Sequence, residues 1–143
     1  MLDKQYFVVV LGHSLHGRLR RVPRVVERAG LTTGKTAMTD SDAVLAANLE
    51  FYRAFAARDL MAMDALWARH APVGCIHPGW PALADRDAII ESWRGILSSP
   101  EAPRIVCYDE RVFLYGDTAL VLCEEELDGG TLVASNLDRK SVV

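Results

Sequence analysis

The sequence predicts an α+β domain, with about three helices segregated on one face of a curved antiparallel sheet. Three observations lead there. Apolar residues recur at helical spacing in three segments between Asp40 and Leu97, each preceded by a capping residue. One short apolar run, Val73 to His77, interrupts the helices and reads as a strand. Beyond Pro100 the pattern turns into long β-prone runs separated by Gly116-Asp117 and Asp128-Gly129-Gly130. Helices followed by an antiparallel meander is the order of an α+β fold.

In chain order, Asp40-Ser41-Asp42 supplies N-cap candidates for a helix through about Ala57. Val44, Asn48, Phe51 and Phe55 share one side of it, with Leu45, Leu49 and Tyr52 adjoining. Arg58-Asp59 breaks the run, and Asp59 caps a second helix carrying Leu60, Met63, Leu66 and Trp67. Pro72 closes that unit. Asp85 caps a third helix with Ile89, Ile90, Trp93 and Leu97 inward, and Ser98-Ser99-Pro100 ends it. Arg104 to Tyr115 is one long strand or a bent pair, Thr118 to Leu127 the next, and Thr131 to Leu137 the last. At Asp138 the strand pattern stops, so residues 138–143 read as an atypical tail.

Residues 1–38 are patterned poorly. They hold seven Lys/Arg against two Asp/Glu, whereas residues 39–143 hold nine against seventeen. The first segment reads as a basic arm outside the domain, with Met38-Thr39-Asp40 a natural domain start. Gly30 to Thr36 has one residue too few between its glycines for a phosphate loop and lacks a preceding strand. The acidic body argues against a nucleic-acid partner. The longest apolar run, Tyr6 to Gly12, is far short of the roughly 20 residues of a membrane span, so no membrane partner is expected. Cys75, Cys107 and Cys123 sit in apolar runs with no paired spacing. Buried reduced thiols and a cytoplasmic location are the expectation, with no metal site.

Four stretches carry a family resemblance: Phe51 to Leu60, Cys75-Ile76-His77-Pro78-Gly79-Trp80, Asp85 to Trp93, and Tyr115-Gly116-Asp117-Thr118-Ala119. Over about residues 40–137 the chain resembles the SnoaL-like, nuclear-transport-factor-2-like superfamily, which includes ketosteroid isomerases. The resemblance implies a cone, in which helices close the concave side of the sheet over an apolar cavity. It also implies a homodimer. His77, just before a proline, falls where isomerase-type members carry a general-base carboxylate. Asn136 falls near their acidic oxyanion donor. Their tyrosine donor aligns with Phe51, and Tyr52 would point about 100° round the helix, so that donor is expected to be lost. A final strand pair of the family pattern has no counterpart after Leu137. The sheet edge there is expected to be unpaired, or covered by the arm.

Each candidate has two readings. His77 is either a structural imidazole on a backbone carbonyl or a base, its ordinary pKa suiting proton abstraction near neutrality. Alternation puts Ala119, Val121, Cys123 and Glu125 on one face, which the resemblance makes the cavity face. Glu125 is then a desolvated carboxyl, or it is surface charge with Glu124 and Glu126. Asn136 bonds water or donates to an oxyanion. Trp80 and Trp93 belong to the core or, with Val121, Cys123 and Tyr52, line the cavity. Trp67 reads as core and His70 as surface. The leading expectation is a pocket for a small apolar or amphipathic molecule, with cofactor-independent acid–base chemistry on His77, Glu125 and Asn136. Its rival is a non-catalytic binding or dimeric assembly module using Leu114, Leu120 and Leu122 on the outer sheet face. A third reading takes the chain as a damaged member without function.

Overall fold

The computed structural model describes residues 6–9 and 39–139. The phosphate-loop comparison at Gly30–Thr36, the arginine-rich stretch, His13, His16 and residues 140–143 lie outside them. The order of elements is β1 (Tyr6–Val9), α1 (Asp40–Ala56), α2 (Leu60–Leu66), β2 (Cys75–Ile76), α3 (Arg86–Ser98), β3 (Val106–Tyr115), β4 (Thr118–Leu127) and β5 (Gly130–Arg139). The sheet order is β2-β1-β5-β4-β3. Helices lie on one face of it, as an α+β fold requires.

The N-cap of α1 is Thr39, one residue before the expected candidates. Its hydroxyl accepts from the Asp42 N–H, and the Asp42 carboxylate accepts from the Thr39 N–H, a reciprocal capping box. Those hydrogen bonds hold the Asp42 carboxyl below its ordinary range. Ala47, Asn48, Phe51, Tyr52, Ala54 and Phe55 are buried. Leu49, expected beside the apolar face, is 47 % exposed, because the buried stripe is rotated toward the two alanines. Helix α1 is capped by Ala57, and Arg58 beyond it, at φ 54°, is the left-handed closure of the helix C-terminus. The Arg58 guanidinium donates to the Ser99 carbonyl just past α3.

Asp59 and Asp85 cap α2 and α3 as expected, each carboxylate accepting an N–H three residues on. Removing one cap, Asp85→Ala, is expected to cost about 1 kcal/mol in urea unfolding. The Arg86 guanidinium donates to the carbonyls of Ala68 and Asp64 and pairs with the Asp64 carboxylate at 2.8 Å, tying the start of α3 to α2.

The strand expected over Val73–His77 shortens to Cys75–Ile76. His77-Pro78-Gly79-Trp80 is a turn, closed by the Trp80 N–H on the His77 carbonyl, with Gly79 at φ 78°. Proline second and glycine third is the sequence a type II turn demands. The turn lets Leu83 exchange both backbone hydrogen bonds with Cys75.

Strand β3 is a single strand with a bulge. Tyr108 pairs with Glu124 and Arg111 with Leu122, so one extra residue is absorbed, with Asp109 at φ 53°. The bulge resets which side chains face which way. Leu114 lies opposite Ala119 and shares its inner face, whereas Phe113 lies opposite Leu120. The expected outer trio of leucines therefore loses Leu114 and gains Phe113.

Strand β5 runs to Arg139, two residues past the expected break, because Asp138 and Arg139 pair with Ala119 and Thr118. Its far edge is not open. Tyr6–Val9 pairs antiparallel with Ser135–Asp138 and parallel with β2, so four residues of the basic arm belong to the sheet. An exposed strand edge is a row of unmatched hydrogen-bonding groups, which a β-prone segment can cover.

The core gathers where α1, α2 and α3 meet the sheet. Trp93 is its hub, edge-on to Phe51, Phe55 and His77 and tilted against Trp67. Met63, Ile89 and Ala134 are wholly enclosed around it.

Candidate functional site

Burial along β4 alternates as its sequence does. Ala119, Val121, Cys123 and Glu125 are buried and their neighbours are more open. Glu125 is 3 % exposed, which places it among enclosed side chains rather than with Glu126 at the surface. Cys107 on β3 and Leu132 on β5 flank it across the sheet.

Two side chains one turn apart on α1 descend onto this face, Asn48 and Tyr52. The spacing of four residues sets them on the same side of the helix. The Tyr52 hydroxyl donates to Glu125 Oε1 at 2.7 Å and lies 3.2 Å from Cys123 Sγ. Asn136, opposite Val121 on β5, donates through Nδ2 to Asn48 Oδ1 at 2.6 Å and to Tyr52 Oη at 3.4 Å. Asn48 Nδ2 in turn points at Cys107 Sγ, 3.8 Å away. Four elements thus contribute to one continuous polar line, Cys107–Asn48–Asn136–Tyr52–Glu125. All of its side chains are buried except the half-buried Cys107.

This arrangement corrects the expected loss of the tyrosine donor. Tyr52 faces inward with its hydroxyl on Glu125, and Phe51 turns toward Trp93. The apolar ring goes to the apolar neighbour and the phenol to the carboxyl, because a buried hydroxyl without a partner is costly.

Burial holds the Glu125 carboxyl above its ordinary range, and the Tyr52 donor offsets part of that. Burial first, and then the Glu125 charge, push the Tyr52 phenol far above its own range. Contact with Cys123 and burial do the same to the Cys107 thiol. A protonated carboxyl beside a phenol in an apolar surround is a proton donor, and the ionised form is a base against the same partner.

His77 lies in a second group. It is 4 % exposed, and its Nε2 is 2.8 Å from Ser92 Oγ. Ser92 donates onward to the Ile89 carbonyl, so Nε2 carries the proton toward Ser92 and Nδ1 is left as the unprotonated nitrogen. Cys75 Sγ lies 3.7 Å from Nε2, and the rings of Trp80 and Trp93 are edge-on. Burial lowers the His77 pKa, disfavouring the charged imidazole, and pushes the Cys75 thiol up to about 12. His77 is hydrogen-bonded to neither Glu125 nor Asn136; the ring contacts between the two groups run through Trp93 and Phe51.

Of the residues singled out in the sequence, Tyr52, Cys123, Glu125, Asn136 and Val121 come together on the inner face. His77, Trp93 and Trp80 form the second group. Trp80 is 49 % exposed and lines an open groove of about 560 Å³ with Leu83, Ala88, Ser92 and Ile96. Sequence reasoning missed Asn48, Cys107 and Ser92 as members of these groups. Asn48 gave a signal, a polar residue inside an apolar helical stripe. Ser92 gave none, because a helical serine beside a buried histidine is visible only after folding. Among the described residues no cluster of three or more His, Cys, Asp or Glu is placed to hold a metal ion, and no helix is long and apolar enough to cross a membrane.

An α+β fold whose helices cover the inner face of a bulged antiparallel sheet, with polar side chains enclosed on that face, defines a nuclear-transport-factor-2-like protein. The SnoaL-like domain family matches residues 44–140, and the chain belongs to that family. Two solved structures are similar. One is a "putative dehydratase from the NTF2-like family" of Streptomyces avermitilis, 32% identical, with a TM-score of 0.62 over 70% of this chain and 85% of that one. The other is a "putative calcium/calmodulin-dependent protein kinase type II association domain" of Thiobacillus denitrificans, 30% identical, with a TM-score of 0.59 over 68% of this chain and 83% of that one. Comparison with curated proteins gave no match.

Proposed function

We propose that this protein binds a small apolar or amphipathic molecule on the inner face of its sheet and acts on it by cofactor-independent proton transfer. The carrying observation is the Tyr52 hydroxyl on a Glu125 carboxyl that is 3 % exposed, 2.7 Å apart. Glu125 gives or takes the proton, and Tyr52 steadies its charged form. Desolvation moves the carboxyl toward the operating pH, where general acid–base catalysis is most effective. A lyase or isomerase reaction fits such a pair, and the 32% identity to a dehydratase-type protein supports elimination of water. The His77 imidazole, engaged by Ser92 and two indoles, holds the neighbouring wall.

The test is a panel of small carbonyl and β-hydroxycarbonyl compounds in deuterated water, followed by NMR for elimination and deuterium uptake. Wild-type turnover is expected to fall by about 10²–10⁴ in Glu125→Gln, with the fold unchanged. Turnover surviving in that variant, or absent from the wild type across the panel, would sink the reading.

One observation favours a second reading, a dimeric assembly module. Phe113, 40 % exposed, stands beside Leu120 on the outer sheet face, and a relative at 30% identity is described as an association domain. Sedimentation of Phe113→Asp as a monomer, where the wild type is a homodimer, is its expected signature.

A further inference from the structure

One acceptor on the inner face is left over. Asn136 is 2 % exposed, and both hydrogens of its amide are taken, by Asn48 Oδ1 and Tyr52 Oη. Its Oδ1 is enclosed and has no hydrogen-bond partner among the described residues. Buried carbonyl oxygens without a donor are rare, and each calls for an explanation. The described neighbours of Asn136 on the sheet offer no donor. Ala134 precedes Asn136 on the inner side of β5, Val121 lies directly across on β4, and Ala119 follows Val121 on the same face. All three are apolar and two are short. Ala119 and Val121 are buried yet lie outside the contiguous apolar cluster formed by the helices.

We propose that Asn136 Oδ1 is a docking point for a hydrogen-bond donor of the ligand, the hydroxyl or N–H of a small and otherwise apolar molecule. This rests on the inner face being the ligand site. It reverses the polarity expected for Asn136, whose amide N–H groups are spent inside the protein and cannot serve an oxyanion. The Tyr52 hydroxyl is 3.4 Å from the same amide, so a ligand hydroxyl on Oδ1 sits one side chain away from the Tyr52–Glu125 pair. Molecules with a donor are selected, because an analogue without one leaves Oδ1 desolvated and unpaired.

The matched probes are p-cresol and p-xylene, which have nearly the same shape and differ by hydroxyl against methyl. Titration calorimetry on the full chain is expected to show p-cresol binding at least about tenfold more tightly. Asn136→Leu should bring the two within about twofold, whereas Asn136→Asp, which keeps an acceptor oxygen, should preserve the preference. Equal or tighter binding of p-xylene to the wild type overturns the proposal, as does failure of both to bind. So does a preference that survives in a folded Asn136→Leu. Should that variant not fold, the wild-type comparison decides alone. The readout is binding without turnover. Lack of proton transfer in the Glu125 assay therefore leaves the donor preference standing, and loss of the preference leaves Glu125-dependent turnover standing.

Discussion

Replacing Trp93 with alanine is expected to lower the stability of the domain by about 3–5 kcal/mol. The indole is 4 % exposed and meets Phe51, Phe55, Trp67 and His77, so its removal empties the junction of α1, α3 and the segment between α2 and β2. These rings come from α1, the end of α2 and the turn after β2 and cannot all close on the void, so a cavity term adds to the lost transfer energy. The Trp93 Nε1–H has no acceptor among the described residues, so no hydrogen bond seen there is lost to obscure the packing effect. Trp80→Ala is the internal control. That ring is 49 % exposed and covers His77 from outside, and its loss is expected to cost about 1 kcal/mol. Urea unfolding of both variants checks the contrast. Similar losses for the two would show that Trp93 is not the hub.

Tyr52→Phe is expected to cost about 1–3 kcal/mol near neutral pH and clearly less in acid. The hydroxyl is the donor that favours the charged form of Glu125, and it also receives one hydrogen of Asn136. Without it burial acts on the carboxyl unopposed, and its pKa rises further. The sign follows from linkage. A folded-state pKa above the unfolded value of about 4.5 means that the native protein holds a proton which the unfolded chain has lost. The stability this gives is complete below the unfolded pKa and is lost as pH rises through the folded one. In Tyr52→Phe the folded pKa is higher, so the decline extends to higher pH. Glu125→Gln, which carries no titrating proton, is expected to remove this decline. Unfolding at pH 4 and pH 8 for wild type and both variants tests this. Equal losses in Tyr52→Phe at the two pH values would contradict the role given to its hydroxyl.

Much of the inner face was legible before folding. Strict alternation from Ala119 to Glu125 fixed which side chains share a side of β4, because the period of a strand leaves only two choices. Asp59 and Asp85 announced α2 and α3, because a carboxylate three residues ahead of a free N–H is a local matter. The separation of His77 from Glu125, two residues expected to act together, was not legible. Both are buried, but periodicity says nothing of the distance between two inward side chains, and Trp93 and Phe51 fill the route between them.

The boundary between sequence and structure falls at the rotation of α1 and the register of β3. Helical spacing placed Phe51 and Tyr52 side by side on a broad apolar face, and only contact with Trp93 on one side and Glu125 on the other decided which ring went where. One extra residue near Asp109 set Leu114 on the Ala119 side of the sheet and Phe113 on the Leu120 side, both still exposed, a change no run of β-prone residues discloses. The amino-acid order determined the elements and their buried sides, since those depend on neighbours a few positions apart. Which polar atoms meet, and which oxygen is left without a donor, depends on elements distant in the chain being pressed together, and only the tertiary structure decided it.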